Sequence, residues 1–74
     1  MIRAKVKSSN IVSVGYDSEK KILEIEFAGQ GIYQYADVPS LTVAEFMRAE
    51  SKGKYFYIKI KPNYDATKIK APIK

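Results

Sequence analysis

Apolar and polar residues alternate through the first half of the chain. In "KILEIEF", Leu23, Ile25 and Phe27 fall on one side and Ile22, Glu24 and Glu26 on the other, the period of a strand with one face in water. The preceding "IVSVGYD", from Ile11, is a short β-prone run, after which Asp17, Ser18, Glu19 and Lys20 make a polar turn organised by Asp17. Beyond Phe27, "AGQG" carries Gly29 and Gly31, which take positive φ without a Cβ clash, and returns the chain into "IYQYADV". There Tyr33 and Tyr35 share a face, with Gln34 opposed. Three strands joined by short turns predict an antiparallel meander, whose apolar face needs a helix to cover it.

The pattern then changes period. Pro39 stops the strand, and "LTVAEF" supplies Leu41 at N′, Thr42 as N-cap, Glu45 at N3 and Phe46 at N4, a capping box with a hydrophobic staple. Val43, Phe46 and Met47 lie at i, i+3 and i+4, so the spacing predicts a short helix over about 42–50 with Met47 as core filler. The next segment, "SKGKYFYIKIKPNY" from Ser51 to Tyr64, holds four lysines and four aromatic rings and fits two periods. As a strand, it buries Phe56, Ile58 and Ile60 and exposes Tyr55, Tyr57, Lys59 and Lys61. As a short helix N-capped by Ser51, it turns Phe56 and Ile60 inward at i and i+4. Propensity favours the strand, and Pro62 ends either one. The fold class expected is α+β: a three-stranded meander packed on one short helix, with residues 52–61 a second short helix or a fourth strand. Residues 65–74, "DATKIKAPIK", show no clear periodicity and read as a basic, partly extended or mobile tail.

Composition narrows the chemistry more than it identifies it. Seventy-four residues allow one domain, and a chain of this size buries only about 60% of the surface that its unfolded form exposes. Cysteine and histidine are absent, which removes disulfides, thiolate or imidazole metal sites and histidine acid–base chemistry together. The net charge of +5 is unevenly spread. Residues 1–10 carry Arg3, Lys5 and Lys7 without an acid, residues 11–50 are net acidic, and residues 51–74 carry seven lysines against Asp65 alone. Basic ends around an acidic middle suit a polyanionic partner, and equally suit a small protein kept soluble by lysine. No apolar run approaches a membrane span and the N-terminus has no signal-type apolar stretch, so a cytoplasmic location is the expectation.

The ordered series "SSNIVSVGYD", "LEIEF", the glycine turn, "GIYQYADVP", "AESKGKYF", Ile60 and Tyr64 resembles the KTSC domain, named from the C-terminus of some lysyl-tRNA synthetases and also found alone in bacteria and phages. The resemblance spans roughly Val6 to Tyr64 and implies a single domain over 1–64, followed by the basic tail 65–74. It implies a helix after Ser51, against the cleaner strand alternation. This chain has Tyr57 where the family tends to have asparagine after its paired aromatic residues. The association with a tRNA synthetase suggests RNA as a partner.

No catalytic constellation emerges. Ser8 and Ser9 lack a histidine or other base and read as the start of the first strand. Glu24 and Glu26 share a strand face, which fits a solvated outer surface better than a paired-carboxylate site. "KGK" with one glycine is no phosphate loop. The expectation is therefore a non-catalytic binding module with no cofactor and no metal, contacting RNA or another nucleic acid through Lys52, Lys54, Tyr55, Tyr57, Lys59 and Lys61, extended by Lys5 and Lys7. The alternative is a small protein–protein interaction module, such as a phage-encoded modulator of a host protein, docking through exposed tyrosines or the acidic face at Glu24 and Glu26. Oligomeric state stays open, since an uncovered edge strand permits strand-mediated dimers.

Overall fold

The computed structural model describes residues 3–6 and 10–70, with side chains at 6 and 10–69. Strands β1 (Arg3–Lys5), β2 (Ile11–Asp17), β3 (Ile22–Phe27), β4 (Gly31–Tyr35) and β5 (Ala66–Lys70) form one antiparallel sheet in sequence order. Between β4 and β5 the chain forms helix α1 (Ser40–Arg48), a short helix α2 (Lys52–Tyr55) and a π-helical turn (Phe56–Ile60), which pack on one face of the sheet. The fold is α+β, and its central β2–β3–β4 meander follows the alternation in the sequence. Ser8 and Ser9, read as the start of the first strand, lie outside the described residues.

Local chemistry sets the turns. The Asp17 carboxylate accepts backbone N–H bonds from Glu19 and Lys20, both at 3.1 Å, and Lys21 closes the hairpin at φ 56°. Gly29 and Gly31, at φ 74° and 98°, close the next one. A bulge between Ile11 and Ser13 shifts the β2 register, so Ile11 joins Val14 in the core while Ser13 faces the other way, donating to Glu26 Oε1 at 3.1 Å. The core gathers Ile11, Val14, Leu23, Ile25 and Tyr35 from the sheet under Val38, Phe46, Phe56 and Ile60. Burying one such phenylalanine contributes roughly 2–3 kcal/mol. The Tyr16 hydroxyl donates to the Val38 carbonyl at 2.6 Å, which holds the approach to α1 against β2.

Several sequence expectations are corrected. Helix α1 runs from Ser40 to Arg48, not from about 42 to 50, with Pro39 at its N-cap and no side-chain cap. Proline's fixed φ suits a helix entrance, and Thr42 and Glu45 fall inside the helix, where they bond to tyrosine instead of forming a capping box. Leu41 is 69% exposed and staples nothing, and Met47, at 37%, lies outside the core. Of the two alternatives for residues 52–61 the helix holds and the strand does not: Ser51 caps it through Lys54 N–H at 3.3 Å, and Ile58 is exposed. Glu24 is not on a solvated face; it is buried and accepts a bond from Gln34 Nε2 at 3.0 Å across the β3–β4 pair.

Beyond the second helix, Pro62 breaks the chain and the Asn63 carboxamide donates to the Lys59 carbonyl at 2.8 Å, satisfying a helix-end acceptor. Ala66–Lys70 then pairs with β4 as an edge strand. A register shift between Ile32 and Tyr33 accompanies that pairing, with Lys68 opposite Tyr33, Lys70 opposite Ile32 and Ile69 left exposed.

Candidate functional site

The short helices do not cover the whole apolar face of the sheet. What they leave open is a cleft of about 490 Å3 toward the β4–β5 edge. Its sheet wall is Phe27, Tyr33, Tyr35 and Ala66, and its helix wall is Gly53, Phe56, Tyr57 and Lys61. Tyr64 and Asp65, in the segment leading to β5, complete it together with Asn10 and Gln30.

Strand alternation puts Tyr33 and Tyr35 on the cleft side of β4. The π turn supplies the opposite wall. Its widened hydrogen bond, from Lys61 N–H to the Phe56 carbonyl at 2.8 Å, holds Phe56 inward, where its ring meets Phe27 at 5.0 Å and Tyr35 at 5.5 Å, both edge to face. Tyr57 follows at the rim, 60% exposed, 5.7 Å from Phe56 and with Lys61 Nζ 4.9 Å from its ring centre. On the sheet, Lys68 Nζ lies 5.8 Å from the ring of its register partner Tyr33. Lys61 thus lines the opening with several rings, Lys68 reaches the ring of the lining residue Tyr33, and Asp65 is the one carboxylate among the lining residues.

Burial, with Tyr33 beside it, pushes the Tyr35 phenol up from its ordinary value to about 12. Tyr55 is also shifted upward, by desolvation first and then by its hydrogen bond to Glu45 and the nearby charges. Among the described residues no group of histidine, cysteine, aspartate or glutamate side chains could hold a metal ion, and no helix is long and apolar enough to cross a membrane.

The sequence-derived residues separate in space. Tyr57 and Lys61 meet at the cleft, and Lys54 and Lys59 are exposed on the same helical segment. Lys52 is half-buried in its first turn. Tyr55 turns toward α1: its hydroxyl donates to Glu45 Oε1 at 3.2 Å, and its ring lies 5.8 Å from Phe46. Lys5 stands opposite Ser13 in the β1–β2 register, and Lys7 lies outside the described residues. Sequence reasoning did not gather Tyr33, Tyr64, Asp65, Asn10 and Gln30 around the same opening, nor set Lys68 by the Tyr33 ring. The shared face of Tyr33 and Tyr35 was the available signal.

Comparison with known proteins gives a consistent relationship. The KTSC domain model matches residues 7–64. An uncharacterized protein of Stutzerimonas stutzeri is 39% identical over 64 residues, covering 86% of this chain and 90% of its own. A protein of Tsukamurella paurometabola is 36% identical over 61 residues, covering 82% and 91%. The crystal structure of a KTSC domain protein from Yersinia pestis superposes with a TM-score of 0.90 at 46% identity, over 92% of this chain and 96% of that one.

Proposed function

This chain belongs to the KTSC domain family, and we propose that it is a non-catalytic module that binds single-stranded nucleic acid, RNA in the first instance, in the aromatic cleft. The observation that carries this reading is the pairing of two rings that line the cleft with lysine ammonium groups: Tyr57 with Lys61, itself in the lining, and Tyr33 with Lys68. Unpaired bases stack on aromatic rings, while lysines neutralise the phosphates that follow them. A recessed cleft favours a single strand, because bases stacked inside a duplex cannot enter it. The absence of cysteine and histidine from the sequence supports binding over chemistry.

The test is a titration of labelled single-stranded RNA, single-stranded DNA and duplex RNA at two salt concentrations. If Lys59, Lys61 and Lys68 each neutralise one phosphate, affinity for a single strand follows salt with a logarithmic slope of about −2, a loss of roughly 15-fold between 50 and 200 mM. The double variant Lys59→Glu, Lys61→Glu weakens binding to every sequence. Absence of binding to any of the three at low salt refutes the reading.

A second reading, docking on a protein partner, draws on the exposed apolar side chains Leu41, Ile58 and Ile69. Retention of a partner after Lys61→Glu, with no nucleic-acid binding by the parent, would favour it.

A further inference from the structure

We infer that, within the nucleic-acid reading on which this step rests, the cleft prefers an unpaired guanine, with Asp65 as the residue that selects it. Asp65 is unusual where it stands. It is the one acid among residues 51–74, and it lines the same opening as Lys61, with Lys68 near the Tyr33 ring, where a carboxylate works against phosphate binding. Its place is set by the backbone, since its carbonyl accepts the Ala36 N–H at 3.4 Å at the start of β5. Asp65 is exposed and is the one acid in the lining, next in sequence to Tyr64.

An ionised carboxylate only accepts hydrogen bonds, through two oxygens side by side. Guanine is the base whose Watson–Crick edge offers two adjacent donors, the N1–H and the N2 amino group, and so fits both oxygens at once. Adenine and cytosine offer one amino group next to an acceptor nitrogen, which a carboxylate repels, and uracil offers one N–H between two carbonyls. The Asn10 and Gln30 side chains, also in the lining, carry amide N–H donors of the kind the guanine O6 and N7 acceptors take. The rings of Tyr33 and Tyr57 supply stacking that any base can use, so they raise affinity without choosing among bases. An organic cation, the other guest an aromatic cleft with one carboxylate attracts, is opposed by the two lysines.

The experiment compares four fluorescein-labelled oligouridine octamers at low salt, one all uridine and three with a single central guanosine, adenosine or cytidine. The guanosine probe is expected to bind about tenfold tighter than the other three, the lower part of the range for a bidentate base contact because Asp65 is exposed. Asp65→Asn, which replaces one acceptor by a donor at nearly the same size, should bring the four probes together, whereas Lys61→Ala weakens all four alike. Four equal affinities for the parent protein overturn the guanine preference and leave nucleic-acid binding intact. A preference that survives in Asp65→Asn removes Asp65 from the selecting role. No binding of any probe overturns both steps.

Discussion

Replacing Tyr57 with alanine separates binding from folding more cleanly than any other change at the cleft. The ring is 60% exposed, so little apolar burial is lost. Its contacts are the edge of Phe56 at 5.7 Å and the Lys61 ammonium at 4.9 Å. An exposed cation–π pair contributes about 0.5–1 kcal/mol. Alanine's better helix propensity returns about half a kcal/mol. The net stability change should therefore stay below about 1 kcal/mol, against about 3–5 kcal/mol for truncating the buried neighbour Phe56. Binding responds differently, because a base stacked on the ring contributes about 1–3 kcal/mol, or roughly 5- to 150-fold in Kd.

The assay is fluorescence anisotropy with a single-stranded RNA octamer at low salt, run beside urea denaturation of the same preparations. Tyr57→Phe keeps the stacking face and should bind within about twofold of the parent, since stacking depends on the π-face and not on the hydroxyl. If Tyr57→Ala keeps its fold and binds as tightly as the parent, Tyr57 is no stacking platform. Loss of both fold and binding in Tyr57→Ala would instead contradict the exposure on which the reasoning rests.

Other outcomes follow from the same structure. Ser51→Ala removes the side-chain cap on Lys54 N–H and should cost about 0.5–2 kcal/mol, seen in a thermal melt as a lower Tm; an unchanged Tm would show that the bond contributes nothing. Lys21→Gly relieves a left-handed conformation at φ 56° and should raise the urea midpoint by an amount equivalent to about 0.5–1 kcal/mol, after glycine's greater unfolded-state entropy is counted; a lower midpoint would show that the lysine side chain matters more than the backbone. Tyr35 holds its proton up to about 12 in the folded chain because it is buried next to Tyr33, and the unfolded chain releases it near about 10. Its contribution is therefore complete below pH 10 and is lost as pH rises toward 12. Urea denaturation across that window should show a shallower decline for Tyr35→Phe than for the parent, and parallel declines would count against the shift.

The meander was legible because period-two alternation, an aspartate turn and a glycine turn all agree on it. The second helix was legible only as one of two alternatives, because Tyr55, Phe56, Tyr57, Ile58 and Ile60 are β-prone by composition. Tertiary packing decides the matter: Phe56 and Ile60 enter the core one turn apart, while Tyr57 and Ile58 are left in water, where no strand alternation would put both. Thr42 and Glu45 misled for a related reason. They have the spacing of a capping box, but tyrosine hydroxyls from later in the chain compete for the same groups: Tyr55 of the next helix bonds Glu45, and Tyr64, beyond the π turn, lies 3.5 Å from Thr42 Oγ1. Glu24 reads as a surface residue until Gln34 arrives opposite it, a partner that only the strand register reveals. Of the candidate site, Tyr57 and Lys61 were legible as exposed neighbours, whereas the ring wall facing them depends on contacts between distant segments.

That wall depends on β5, the element with the weakest signal. Every described side chain of β5 is exposed, so no apolar face marks it as a strand. Yet pairing with β4 sets Ala66 opposite Tyr35 and Lys68 opposite Tyr33, which converts what would be a sheet edge into one side of a cleft. A small residue at 66 leaves the opening in front of Tyr35, and a long one at 68 reaches over the Tyr33 ring. The arrangement makes a specific demand: enlarging residue 66 should close the cleft without touching the core. Ala66→Leu adds its side chain to an exposed position on an edge strand, so the urea midpoint should hardly move. Single-strand affinity should fall roughly tenfold, equivalent to about 1.4 kcal/mol, as the added side chain takes the space of a base. Unchanged affinity in a folded Ala66→Leu variant would move the binding surface away from the cleft and onto the exposed lysines of the helix alone.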